Sequence, residues 1–362
     1  MIAGSGIVGL NAALNLKRKN PSLRVVVAER GALPSGASTK NAGFACFGSI
    51  TELMDDLTRM PENEVFSLVE KRYRGLQRLR SIIGDNTMEL EIRGGYEIFD
   101  DEASFLECAE KLDYFNKNIQ PVVGKTPLYT IADKEIQSFG FKGVKHMILN
   151  TGEGQINSGK MMERLIAIVR AEGVEILNGL DISGFHETSA GVDIETSNGY
   201  RFSCRKFLIC VNGFAKQLLK EEDVEPARAQ VLITKPLENL KFRGTFHYDK
   251  GYYYFRNVGN RVLFGGGRNL DFKGENTWEH SLTDLIQNRL DQLLRDMILP
   301  DTPYEIDMRW AGTMGVGARK SPIVKPLSNH IFCAVRMGGM GVALGSLTGE
   351  EAAEMVMQHS SF

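Results

Sequence analysis

Gly4-Ser5-Gly6-Ile7-Val8-Gly9 stands almost at the start of the chain, and Glu29 follows Gly9 by twenty residues. A GxGxxG that opens a helix, with an acid ending the next strand, is a dinucleotide-binding fingerprint. Gly4 permits the tight turn, Gly6 lets the backbone approach a pyrophosphate, and Gly9 lets the helix pack closely on its strand. The helix predicted over Ile7 to Lys19 directs the free N–H groups of its first turn, at Ile7 and Val8, toward the phosphates. Val25-Val26-Val27-Ala28-Glu29 reads as a second buried parallel strand, with Glu29 ready to accept hydrogen bonds from ribose hydroxyls. Only Met1-Ile2-Ala3 precede the turn, whereas a strand usually runs to about five or six residues. Since this strand belongs in the middle of the sheet, the expectation is a natural chain that starts a few residues earlier.

At 362 residues the chain is long enough for two domains and a large core. Its 43 Lys and Arg against 45 Asp and Glu leave a net charge of -2, with no long run of one sign. That balance argues against a nucleic-acid or anionic-membrane partner and for a small-molecule substrate. Cys46, Cys108, Cys204, Cys210 and Cys333 are odd in number and form no CxxC pair. A disulfide scaffold or a zinc site is therefore not expected, and no other metal is either. No apolar run reaches the length of a membrane span and no signal peptide is visible. A cytoplasmic location is expected, with room for peripheral association at a membrane.

After Glu29-Arg30 comes Gly31 to Phe44, rich in small and hydroxyl residues, where a simple nicotinamide-binding fold would pass quickly into its next helix. Such a loop can lay backbone amides and hydroxyls along a long cofactor; alone, it would equally pass for a surface loop. Periodicity predicts helices over Glu64 to Gly84, Glu102 to Lys117, Lys160 to Ala171 and Leu282 to Met297. Glu89 to Asp100 reads as two short strands bent at Gly94-Gly95, and Gly191 to Arg205 as a hairpin turning at Asn198-Gly199. Phe207 to Val211 is a buried strand ending at Asn212-Gly213, and Gln230 to Arg268 is strand-rich. A second strand-to-helix turn, Arg336-Met337-Gly338-Gly339-Met340-Gly341, follows the strand His330 to Val335 and opens a helix from Val342 to Met357. Its helix start would face an anion, although close packing alone would also call for such glycines.

Together these stretches resemble the FAD-dependent D-amino-acid oxidase superfamily, especially its glycine oxidase, monomeric sarcosine oxidase and D-amino-acid dehydrogenase branch. The resemblance rests on Gly4 to Gly9, Glu29-Arg30 and the loop Ser35-Gly36-Ala37-Ser38-Thr39-Lys40-Asn41-Ala42-Gly43-Phe44, which is its most specific part. It continues through Gly173-Val174, Val211-Asn212-Gly213, Tyr253-Tyr254-Phe255-Arg256, Trp310-Ala311-Gly312 and Gly338-Gly339-Met340-Gly341-Val342. It implies an α/β fold with a discontinuous Rossmann-like FAD domain of the glutathione-reductase type over residues 1–87, 149–223 and 303–362. Residues 88–148 and 224–302 would form an α+β substrate domain whose mainly antiparallel sheet covers the flavin. Val174 would meet the adenine region through its backbone, and the turn up to Val342 would lie at the pyrimidine end of the flavin. The implied activity is oxidation of the C–N bond of an amine or amino acid by hydride transfer, with oxygen or a quinone as electron acceptor.

One departure bears on the substrate. Glycine-oxidase-like enzymes hold the substrate carboxylate with an arginine four residues after the Trp of Trp-Ala-Gly, and here that position is Met314. Arg256, Arg319, Lys320 and Arg336 are candidate replacements. Tyr252 matches the family's substrate-contacting tyrosine most nearly, and Tyr254 shares its strand face. His247 reads as structural more than catalytic, and Lys250 and Lys320 are candidates for the lysine that favours oxygen. Thr313, Met314 and Gly315 stand where the sarcosine-oxidase branch carries a flavin-linking cysteine, so FAD is expected to be non-covalent. A 2-hydroxy-acid oxidoreductase of the same superfamily and a non-catalytic FAD-binding module are the alternatives. A branch acting on tRNA is disfavoured by the lack of a basic patch.

Overall fold

Val26, Val27 and Ala28 are apolar on both strand faces, and the sheet they enter is covered on both sides. In the computed structural model, which describes residues 1–359, this sheet has six strands. Their order is Ile323–Pro326, Ile331–Val335, Phe207–Ile209, Ile2–Ala3, Val26–Glu29 and Glu175–Asn178. All neighbours run parallel except the edge pair of Ile323–Pro326 and Ile331–Val335. The central strand has only two residues, and Ile2 and Ala3 pair with Leu208 and Ile209 on one side and Val27 and Ala28 on the other.

The N-terminal helix, Ile7–Lys19, is buried without a break from Ile7 to Leu16. The C-terminal helix, Gly341–Gln358, crosses it at very short range. A Cβ added at Gly345 would lie 2.6 Å from Ile7 Cγ2, and one at Gly349 would lie 2.6 Å from Val8 O. On the helix Glu62–Ile83, Gly75 meets Ala343 in the same way, with 2.0 Å from a built Cβ to the Ala343 carbonyl. Glycine here removes the side chain that would separate the helix axes. The result is two long helices whose N-termini open toward the same place.

The second large sheet has eight strands. Its order is Ile306–Val316, Glu225–Thr234, Arg261–Gly266, Tyr253–Val258, Thr245–Tyr248, Gly95–Phe99, His146–Asn150 and Tyr129–Ile131. It is antiparallel apart from the pairing of Thr245–Tyr248 with Gly95–Phe99. Ile306–Val316 lies in this sheet through its long ladder with Glu225–Thr234, although it falls within the stretch 303–362 expected with the cofactor sheet. The hairpin of Gly191–Thr196 and Arg201–Cys204 forms as expected around Asn198-Gly199.

Two local expectations change. Residues 89 to 100 hold one strand, Gly95–Phe99, because Glu91 makes only an isolated bridge to Gln155 and Gly94 turns the chain with φ +93°. The helix expected over Glu102 to Lys117 is two, Glu102–Ala109 and Leu112–Val123. Phe105 and Phe115 both enter one core cluster, and on a continuous helix ten residues would set them roughly 80° apart. The break restores a shared apolar face. No helix among the described residues is long and apolar enough to cross a membrane.

Candidate active site

The two helix N-termini open on an elongated cavity of about 610 Å³ between the sheets. Gly4, with φ +98°, turns the chain off the central strand, and a Cβ at Gly9 would stand 2.0 Å from the Gly4 carbonyl. Gly4, Gly6, Ile7 and Val8 line the cavity, whereas Gly9 lies behind them as the packing contact. Glu29 also lines it, its Oε2 accepting from Ser5 N (3.1 Å) and Ser5 Oγ (2.6 Å) and its Oε1 from Gly31 N (3.0 Å). These bonds hold the carboxylate in place and leave it acceptor capacity toward the cavity. Arg30 lines the same end and lies 3.6 Å over the Phe214 ring.

The loop Ser38 to Phe44 runs along the wall, and Ser38, Lys40, Asn41, Ala42, Gly43 and Phe44 all face the cavity. Ser38 Oγ accepts from Ile7 N at 3.0 Å, so the loop caps the N-terminal helix. Asn41 Oδ1 accepts from Gly43 N (2.9 Å) and from Ser158 Oγ (2.6 Å). Thr39 turns away and donates to Pro34 O at 2.8 Å. Trp310 Nε1 donates to Lys40 O at 3.0 Å, so the Trp310-Ala311-Gly312 motif braces the loop. Asn212, at φ +43°, accepts from Met337 N (3.1 Å) and joins the middle strand to the second glycine turn. Asn212, Gly213, Gly338, Gly339, Met340, Gly341 and Val342 all line the cavity.

Three expected positions prove structural. Arg256 is buried away from the cavity and donates to the carbonyls of Ala42, Ile156 (3.1 Å) and Asn257 (3.4 Å), bracing the loop from behind. Burial brings its guanidinium down to about 10. Arg336, at φ +66°, pairs with Asp223 Oδ2 (2.6 Å) and donates to Ser321 O (3.0 Å), so its charge is already used. Val174 is buried in the core, and its N–H donates to Val169 O at 3.3 Å, so it does not reach the cavity wall.

Tyr252, Tyr254 and Lys320 do line the cavity, and the Lys320 carbonyl lies beside the second glycine turn, 3.6 Å from a Cβ built on Gly338. Lys320 Nζ sits 2.5 Å from Asp56 and 3.4 Å from Glu52, and Arg72 reaches Glu52 at 3.2 Å. Burial pushes the Glu52 carboxyl up, but Arg72 and Lys320 outweigh it and leave the group below its ordinary value. His247 also lines the cavity, edge-on to Phe44 at 5.2 Å, and Phe44 is edge-on to Tyr254 at 5.7 Å. Burial lowers the His247 imidazole to about 4, so the ring is neutral at physiological pH, and its Nε2 has no hydrogen-bond partner among the described residues. Burial also raises the Tyr254 hydroxyl to about 12.

Glu52, Asp55 and Arg59, one face of the short helix Ile50–Arg59, were not anticipated, nor was Arg268. The spacing i, i+3, i+7 was the available signal, but a charged stripe on a helix ordinarily faces solvent.

Glu153 stands behind His247 and accepts from Phe47 N (2.8 Å) and Gly48 N (3.0 Å). Burial nevertheless raises its carboxyl from 4.5 to about 7. A carboxyl that binds its proton more tightly when folded loses stability as pH rises from the unfolded value through the folded one. Gln at this position keeps the acceptor and cannot ionise. Glu153→Gln should therefore gain stability relative to wild type between pH 4.5 and 7, by up to about 3 kcal/mol. Urea denaturation at several pH values checks this; a pH-independent difference would contradict it.

A strand-end acid, a glycine turn at each of two helix starts and a hydroxyl-rich loop on one elongated cavity fit a long dinucleotide such as FAD. The family described as FAD dependent oxidoreductase (DAO) matches residues 1–355. Probable oxidoreductase OrdL of Rhizobium meliloti is 23% identical over 99% of this chain and 83% of its own length. The fold is similar to glycine oxidase from Bacillus cereus, with a TM-score of 0.79 and 15% identity over 99% of this chain and 95% of that one. It is also similar to L-proline dehydrogenase from P. horikoshii, with a TM-score of 0.77 and 16% identity over 99% and 93% of the two chains. At such identities the two structures speak for the fold alone.

Proposed function

The chain belongs to the DAO family of FAD dependent oxidoreductases, and we propose that it oxidises the C–N bond of a small amine or amino acid to the imine, which water then hydrolyses. FAD, when bound, supplies the acceptor for the substrate's hydride. Gly4, Gly6, Ile7, Val8, Glu29 and Arg30 would hold its adenosine and pyrophosphate part. Ser38, the loop through Phe44 and Asn212-Gly213 would follow the middle, and Gly338 to Val342 would meet the ring end. Residues 1–87 and 149–223 and the C-terminal part beyond Val316 would form the cofactor half. Residues 88–148 and 224–302, with Ile306–Val316, would form the substrate half.

The neutral wall of His247, Phe44 and Tyr254 carries this reading. An amine can expel hydride only while its nitrogen lone pair is free, and an unpaired carboxylate beside it would keep it protonated. Glu52 is held by Arg72 and Lys320, and Asp55 by Arg59 at 3.1 Å, so neither is free to do so. His247, neutral and edge-on to Phe44, lines the cavity without adding a charge there. Glycine oxidase and L-proline dehydrogenase, which share the fold, are named for substrates of this class. Oxygen or a quinone would then take the electrons.

The holoprotein should lose its yellow colour anaerobically with at least one amine or amino acid from a panel that includes D- and L-amino acids and 2-hydroxy acids. Bleaching by 2-hydroxy acids alone, or by nothing, would overturn the proposal. Denaturation should release the colour from the chain. Burial holds the thiol of Cys46, a cavity-lining cysteine, well above its ordinary pKa, which makes it a poor nucleophile.

A further inference from the structure

Arg30, Lys40, Lys250 and Arg268 line the cavity without an ion pair or side-chain hydrogen bond among the described residues, and of the four only Arg268 has a nitrogen shut off from solvent, its Nε. Lys320 is bound by Asp56 and Glu52, and Arg59 by Asp55. Met314, at the position where glycine-oxidase-like relatives carry their carboxylate-binding arginine, also lines the cavity and brings no charge. The Arg268 guanidinium makes no ion pair and no hydrogen bond among the described residues, and its Nε is shut off from solvent. The acid whose field reaches it, Glu275, is held in a two-bond pair with Arg228 at 2.8 and 2.7 Å. Burial lowers the guanidinium's pKa, as expected for a charge that has lost water without gaining a partner.

The backbone explains how this charge reaches the cavity. Gly266 and Gly267, at φ +125° and +81°, turn the chain at the end of its strand, and Gly267 N donates to Tyr252 O at 2.9 Å. Arg268 and Tyr252 thus emerge side by side on the cavity wall. Phe272 supports both, 5.0 Å from the Arg268 Cζ to its ring centre and edge-on to Tyr252 at 5.9 Å. A planar guanidinium fixed beside a phenol hydroxyl presents donors in the arrangement that a carboxylate accepts.

We propose that Arg268 and Tyr252 form the carboxylate receptor of this chain, so that its substrates are amino acids in preference to simple amines. The receptor rests on the C–N oxidation proposed above but lies on a different strand end from the position that Met314 occupies. It can be tested without turnover, by calorimetric titration of the holoprotein with acetate and with its uncharged analogue acetamide. Wild type should bind acetate and not acetamide. Arg268→Met should weaken acetate roughly tenfold to a hundredfold, and Arg268→Lys should recover part of the loss. The visible flavin spectrum and melting temperature should be those of wild type.

In anaerobic flavin reduction, Arg268→Met should raise KM for an amino acid by a similar factor while leaving the corresponding decarboxylated amine unchanged. Equal acetate binding by wild type and Arg268→Met overturns the proposal, and so does loss of FAD without loss of acetate. Bleaching by 2-hydroxy acids alone would remove the C–N reading, and the acetate titration would still decide whether Arg268 is the receptor.

Discussion

Replacing Gly9 with alanine should yield a protein that purifies without flavin colour and unfolds at clearly lower urea concentration. The added Cβ would stand 2.0 Å from the Gly4 carbonyl and 3.4 Å from Cys210 Cβ. The carbonyl is backbone in the tight turn off the central strand, so it cannot rotate away as a side chain would. Gly345 and Gly349 press on the opposite side of the same helix, through Ile7 and Val8, so the helix cannot retreat either. Overpacking of this kind costs about 3 kcal/mol. The displaced helix start should also lose FAD affinity, removing the stabilisation a bound ligand confers. Gly184, around which a Cβ meets nothing within 4 Å, is the control, and its alanine variant should stay within about 0.5 kcal/mol of wild type. A yellow Gly9→Ala protein with an unchanged urea midpoint would show that the helix has room the geometry denies.

Glu275→Ala should destabilise the protein by about 3–5 kcal/mol, because it strands a buried guanidinium. Arg228 and Glu275 are 4% and 2% exposed, and Gln230 Nε2 adds a third bond to Glu275 at 3.0 Å. Arg228 also donates to Ser281 Oγ at 2.5 Å, so the pair ties the segment after Arg268 to the strand Glu225–Thr234. Removing both charges together, as Arg228→Met with Glu275→Leu, should recover most of the loss, since the penalty comes from a lone buried charge. Denaturation of Arg228→Met, Glu275→Leu and the double forms the required cycle. Additive losses would mean that the two residues act independently. Glu275→Ala should also release the segment that carries Phe272, and with it the support of Arg268.

Much of the six-stranded sheet and its glycine turns could be read directly. The turn at Gly4, the packing contact at Gly9, the acid at Glu29 and the loop from Ser38 to Phe44 are local features whose chemistry is tied to their order along the chain. The charged and aromatic residues around the cavity were less legible. Arg256 and Arg336 looked suitable because they neighbour motif residues, yet each spends its donors on carbonyls or an acid brought in from elsewhere in the chain. His247 meets Phe44, about two hundred positions away, and its Nε2 lies 3.8 Å from the buried Glu153 carboxyl, surroundings that only folding supplies.

The sequence by itself determined the dinucleotide turn, the second glycine turn and the strand-and-helix order that brings both into one domain, because backbone freedom and hydrophobic period are local properties. Only the tertiary structure decided which charges remain available. Lys320, Arg256, Arg336 and Arg268 are all cations in the sequence, but Asp56, the Ala42 carbonyl and Asp223 claim the first three, and nothing among the described residues claims the last. Whether a charge is free depends on partners that folding supplies from distant positions, and spacing along the chain carries no record of that distance.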